Sequence, residues 1–229
     1  MSLRPLEPGT PEYDDCTKTT VVAEFHDVTR TAVNGLIRAI LEKPSGFDWS
    51  VQGLGMMRLY LNKNTRLHLW DSSLKVTGVS PIHTHPWHFR SHVISGHLLN
   101  LRFTEITPRD VFDTVRSGQY NRVKIVCGAG AKTVGETEIV TLQREPLENY
   151  RGGETYEQKA TDIHWSFAQS GTVTVCHRTF LEDTEHANIY WPGDGPFVSA
   201  EPRRATQTEV SRVTLAALQC LDMETANVL

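Results

Sequence analysis

The sequence predicts a fold dominated by β-strands, a barrel or sandwich with a helical segment at each end. Three observations predict it. Through the middle of the chain the period is two, at Leu67 and Leu69, at Val93, Ser95, His97, Leu99, Leu101 and Phe103, at Val123, Ile125 and Cys127, at Ile139 and Thr141, and at Val173, Val175 and His177. That is the period of a strand with one buried face. Gly, Pro, Asn and Asp clusters separate these short runs, as turns between strands require. The third observation is that the 3.6-residue period of a helix returns towards both ends of the chain.

Taken in order, residues 1–50 read as an N-terminal helical segment packed on the barrel. Val21, Val22, Phe25, Val28, Ala32, Val33, Leu36, Ile37, Ile40 and Leu41 keep a helical repeat over residues 18–43, which Pro44-Ser45-Gly46 stops. Residues 51–200 read as the barrel. Within it, residues 106–136, with Pro108, Gly118 and Gly128-Ala129-Gly130, look like an insertion between strands, and Asn188 to Gly195 reads as a connection near the barrel mouth. Residues 201–229 hold the C-terminal helix, marked over 205–221 by Val210, Val213, Leu215, Ala216, Leu218 and Leu221. Both helices read as packing elements or as the contact of a homodimer.

Composition narrows the function. The chain has 229 residues, a formal charge of -4 and a pI near 6.2. No run of Lys or Arg offers a footprint for nucleic acid or an anionic membrane surface. The first eight residues lack the apolar stretch of a signal peptide, and no segment approaches the roughly 18 apolar residues that span a bilayer. A soluble, cytoplasmic protein is expected, with a small molecule or a second copy as its partner. Cys16, Cys127, Cys176 and Cys220 are widely spaced and read as free thiols.

The chemistry concentrates in histidine. The chain carries 10 histidines, and His83, His85, His88, His92 and His97 crowd together. Side chains two apart on a strand share a face, so His83 and His85 can aim two imidazoles at one metal ion.

These residues resemble the first motif of the cupin superfamily, in which His-x-His is followed by an acidic ligand and then a Gly. His83, His85 and Gly96 keep that spacing, with Phe89 standing where the acidic ligand belongs. The second motif sets a Gly eleven residues before a His, as Gly153 precedes His164; Lys159, Thr161 and Ala168 occupy its Pro, inner Gly and Asn places. The resemblance covers roughly residues 55–180. It implies a cupin double-stranded β-helix, the jelly-roll barrel, holding one metal on His83, His85 and His164.

Three neutral imidazoles leave coordination positions open, and without the acidic ligand a divalent ion draws an anion from outside. Among cupins this set is similar to the thiol dioxygenases, of which cysteine dioxygenase is the best known. That resemblance implies Fe(II), molecular oxygen and a small anionic substrate, a thiol carrying a carboxylate; imidazoles also accept Zn, Ni, Mn or Cu. It places Arg58 near the family's carboxylate-clamping Arg, with Arg90 competing for the role. His177 is similar to the family's hydrogen-bonded histidine near the metal, although Thr179 stands where its Tyr would be. It points inward if Val173 and Val175 fill the barrel. His88 and His92 are further candidate ligands, and Tyr60, Trp70, Trp87 and Trp165 read as an aromatic wall. A metal-dependent isomerase or lyase, and a ligand-binding cupin without turnover, are the competing readings.

Overall fold

The computed structural model describes residues 30–107, 116–126, 132–181, 185–193 and 202–226. Helix α1 (Arg30–Glu42) is followed by a 3-10 turn at Pro44–Gly46. Pro44 lacks an amide donor and clashes with a continuing helix, so α1 stops just before it. The N-terminal helix was expected from residue 18; residues 18–29 lie outside the described residues. Strands β1 (Ser50–Val51), β2 (Leu54–Tyr60), β3 (Thr65–Lys75), β4 (Ile82–His83), β5 (Trp87–Ser95), β6 (His97–Ile106) and β7 (Ser117–Val126) come next. They are followed by β8 (Lys132–Arg144), β9 (Glu148–Arg151), β10 (Thr155–Gln158), β11 (Ile163–Ala168), β12 (Val173–Phe180), β13 (His186–Trp191) and β14 (Arg203–Arg204). Helix α2 (Gln207–Ala226) ends the described chain.

The strands form two antiparallel sheets, the two-layer all-β arrangement the periodicity predicts. The first runs β10-β5-β12-β3-β2-β1-β14 and the second β11-β4-β13-β7-β8-β6-β9. Strand β11 also pairs with β6, so the second sheet curls back on itself. Each strand of that curl gives a residue to an apolar cluster: Ile82, Phe103, Tyr120, Val140, Leu142, Ile163 and Tyr190.

The two faces of the first sheet do different work. One packs under the helices, where Met57, Leu59, Leu67, Leu69, Val173 and Val175 meet Ile37, Ile40 and Leu41 of α1 and Val210, Val213, Ala217 and Leu221 of α2. The other turns towards the second sheet, where Trp70, Phe89, Val93, Tyr156 and Cys176 meet Leu98. Gly96 makes the turn from β5 to β6. Its φ of +85° favours glycine, and a Cβ there would lie 2.8 Å from the Thr172 Cα.

Two expectations change. The stretch read as an insertion supplies β7 and β8, which pair with each other over most of their length. Along β7 Tyr120 faces the inside of the curl, while Val123 and Ile125, an odd number of residues away, take the opposite face and pack with Ala187 and Trp191. The stretch read as a connection from Asn188 belongs through Trp191 to β13, pairing with β7 and β4. Its partners are remote in sequence, so no local turn signal announces the strand. Pro108, Cys127, residues 128–130 and Gly195 lie outside the described residues.

Candidate metal centre

The centre begins with parity. Ile82 and Ile163 point into the curl of the second sheet, so their neighbours His83 and His164 point the other way, towards the first sheet. The two histidines are direct cross-strand partners between β4 and β11. His85 follows on a segment pinned on both sides. Thr84 N–H donates to the Asn188 carbonyl at 2.9 Å, Asn188 N–H donates to Thr84 Oγ1 at 2.8 Å, and His85 N–H donates to the Ala160 carbonyl at 3.2 Å.

The three rings converge. Centroid separations are 4.7 Å for His83 and His85, 4.7 Å for His83 and His164, and 5.0 Å for His85 and His164. One ligand atom from each lies within 4.8 Å of the others. His83 Nδ1 meets the Pro81 carbonyl at 2.8 Å and His164 Nδ1 meets the Asp162 carbonyl at 3.3 Å. A carbonyl only accepts, so both Nδ1 atoms carry the proton and both Nε2 lone pairs are left for a metal. Burial holds all three imidazoles below their ordinary pKa, His85 and His164 well below it, so they are neutral and ready to ligate.

Phe89 stands at this cluster, its ring 5.2 Å from that of His85 and 5.9 Å from that of His164. Among the described residues the cluster is three histidines with no carboxylate. A divalent ion fits this donor set, and its charge would be uncompensated by the protein.

The triad lines a small cavity of about 80 Å³ between the sheets, with Met56, Arg66, His68, Trp70, Tyr156 and Cys176 also in its wall. A larger depression of about 560 Å³ shares only His85 with the triad. Charges in its wall are paired with one another, Arg102 with Asp162 at 3.5 Å and Arg122 with Glu105 at 2.7 Å. The smaller cavity, holding all three histidines, is the candidate site.

The other expected residues fall elsewhere. Arg58 faces between the sheets, donating from Nε to Ser50 Oγ at 3.3 Å with its guanidinium 4.8 Å from the Tyr60 ring, but it is not part of the cavity wall. Arg90 is exposed and bonds Glu157 Oε1 from Nε at 2.7 Å. His177 does not point inward: Val173 and Val175, which share its face, pack under the helices rather than in the interior. Its Nδ1 lies 3.2 Å from Thr65 Oγ1 on that same covered face. His88 Nδ1 accepts the Ala160 N–H at 2.9 Å and His92 Nδ1 meets Thr155 Oγ1 at 2.7 Å, so both are engaged away from the triad. Trp70 and Trp87 do line the cavity, whereas Trp165 packs on the curl cluster.

Residues that sequence reasoning missed take the vacant places. Arg66 and His68 alternate with Leu67 and Leu69 along β3, so they occupy the face opposite the helices. The Arg66 guanidinium lies 5.0 Å from the Trp87 ring, and Trp87 stacks on His85 at 5.1 Å. The Trp87 ring thus touches both the triad and a cation of the cavity wall. No protein-family model matches the chain, and no curated protein matches it either.

Proposed function

We propose that the protein is a non-haem iron dioxygenase that oxidises a small thiol carrying a carboxylate. The observation that carries this reading is the set of three neutral imidazoles with Phe89 in place of an acid, facing a cavity that also contains the Arg66 guanidinium. His83, His85 and His164 would hold the metal, and the lack of a protein carboxylate favours an anionic sulfur as a further ligand. Iron bound there would supply the redox chemistry by which R–SH and O₂ become R–SO₂H. The chain's own part is to orient and enclose. Arg66 attracts the carboxylate, Trp87 and Phe89 keep the sulfur end apolar, and the small cavity excludes bulky substrates.

The test combines metal analysis of protein purified without chelators with oxygen uptake across a panel of small thiols. The expected result is near one iron per triad and a sulfinate product that takes both oxygens from O₂. Turnover without oxygen uptake would replace the reading with an isomerase or lyase using the metal as a Lewis acid. Stabilisation by a ligand with no product would make the protein a binding module.

A further inference from the structure

Two residues of the cavity wall each carry a ring or guanidinium nitrogen with no hydrogen-bond partner. Arg66 Nε and His68 Nε2 are buried and have no hydrogen-bond partner among the described residues, although the large majority of buried side-chain polar atoms are bonded. Arg66 uses Nη2 elsewhere, donating to the Tyr60 hydroxyl at 2.9 Å, which fixes the guanidinium and leaves Nε uncommitted. The two residues are two apart on β3, so they stand side by side on one face, and both line the cavity that holds the metal triad.

We infer that Arg66 and His68 together clamp the substrate carboxylate, Arg66 donating from Nε to one oxygen and His68 from Nε2 to the other. The inference rests on the reading of a carboxylate-bearing substrate and names the residues that select it. A carboxylate has two oxygens and needs two donors. A guanidinium N–H beside an imidazole N–H provides them, one charged and one neutral. Burial, with the charges of Arg66, Arg58 and Arg178, keeps His68 neutral, so it adds a donor without adding a second positive charge. Trp87, which touches both Arg66 and His85, borders the space in which the sulfur would reach the triad and the carboxylate would reach β3.

The experiment uses full-length protein loaded with zinc, which binds thiolate without redox turnover, and measures by calorimetry the affinity for 3-mercaptopropionate and for its neutral amide. In the parent protein the acid should bind at least tenfold more tightly than the amide. Arg66→Gln and His68→Leu should each bring that ratio to within about threefold of one, while His68→Gln, which keeps a side-chain N–H, should retain most of it. Zinc content is checked in every variant. An equal affinity for acid and amide in the parent, or an unchanged ratio in His68→Leu, overturns the clamp; an unchanged ratio also means that the acid is held by zinc alone. Where Arg66→Gln does not fold, the comparison of His68→Leu with His68→Gln decides. If the ratio collapses as expected but iron-loaded protein takes up no oxygen with any thiol, the clamp stands and the dioxygenase reading falls.

Discussion

His83 and His164 sit directly opposite each other across the single bridge that joins β4 to β11, their ring centroids 4.7 Å apart. Two remote parts of the chain thus become one donor set only when the second sheet closes. A divalent ion should need both parts. Replacing His83, His85 or His164 by Ala is expected to weaken metal binding on the order of a hundredfold, to a similar degree for each. His88→Ala and His92→Ala should retain the metal, since neither belongs to the triad and their Nδ1 atoms bond Ala160 and Thr155. Metal per folded chain, with folding checked by circular dichroism, reads the result. Full occupancy in His164→Ala would show that the site is built from the 83–92 segment alone.

Buried neutral histidines also set an acid limit on the metal-free protein. The folded-state pKa values of His68, His85 and His164 lie well below the ordinary value, so at acid pH the unfolded chain binds more protons than the folded one. Stability is therefore full above about pH 6.5 and falls as pH drops below it, with a slope approaching about 1.4 kcal/mol per pH unit for each such group. Urea denaturation of metal-free protein at pH 7.5 and 5.5 should show a lower midpoint at 5.5. His68→Leu should reduce the difference, and an unchanged slope would mean that His68 is protonated in the fold.

The fold class and the triad were legible because both rest on local patterns. Alternation within a short run needs no partner to be read, although the run over residues 93–103 is divided by the turn at Gly96 into the end of β5 and the start of β6, and His-x-His carries its own geometry. The face of a strand was not legible where both faces are buried. Val173, Thr174, Val175 and Cys176 are all buried, so their sequence gives no inside or outside. The helices decide it by covering Val173 and Val175, which sends His177 out and Cys176 in. The same layer turns Arg66 and His68 into cavity residues. An apolar pattern alone makes Leu67 and Leu69 look interior and their neighbours exposed.

The turn at Gly96 should tolerate no side chain. Gly96→Ala puts a Cβ 2.8 Å from the Thr172 Cα at a φ of +85°, and Thr172 holds His97, accepting its N–H at Oγ1 at 3.1 Å. The expected loss is about 2 kcal/mol or more, from strain plus displacement of that contact, read from the denaturation midpoint. A loss under about 0.5 kcal/mol would mean that the turn rearranges freely.

Helix α2 starts with a reciprocal cap that responds to pH. Thr206 N–H donates to Glu209 Oε2 at 2.8 Å, and Glu209 N–H donates to Thr206 Oγ1 at 3.2 Å. The hydrogen bond from Arg203, and those from Thr206, pull the Glu209 carboxyl down to about 2. Its contribution is therefore present above the unfolded carboxylate value of about 4.3 and is lost as pH falls towards about 2. Thr206→Ala should cost about 1 kcal/mol at pH 7. Glu209→Gln should remove part of the acid dependence below pH 4.5, measured by thermal melts across that range.

Phe89 offers the sharpest test of the charge argument. Its ring stands 5.2 Å from that of His85 and 5.9 Å from that of His164, so Phe89→Glu sends a carboxylate towards the same point as the imidazoles. In the metal-free variant that carboxylate is buried without a counter-charge, which should lower stability by about 2 to 4 kcal/mol at pH 7. Metal should restore much of the loss, because the ion supplies the counter-charge and the carboxylate supplies a fourth ligand. Zinc affinity is expected to rise at least tenfold over the parent. Affinity for an external anion such as azide, followed spectroscopically on cobalt-loaded protein, should fall, because the centre no longer lacks negative charge and has one fewer open position. Phe89→Leu separates this from simple loss of the ring and should leave both affinities near the parent values. If Phe89→Glu binds azide as tightly as the parent while holding zinc more strongly, charge compensation is not what draws anions to the triad, and the preference must come from the cavity wall instead.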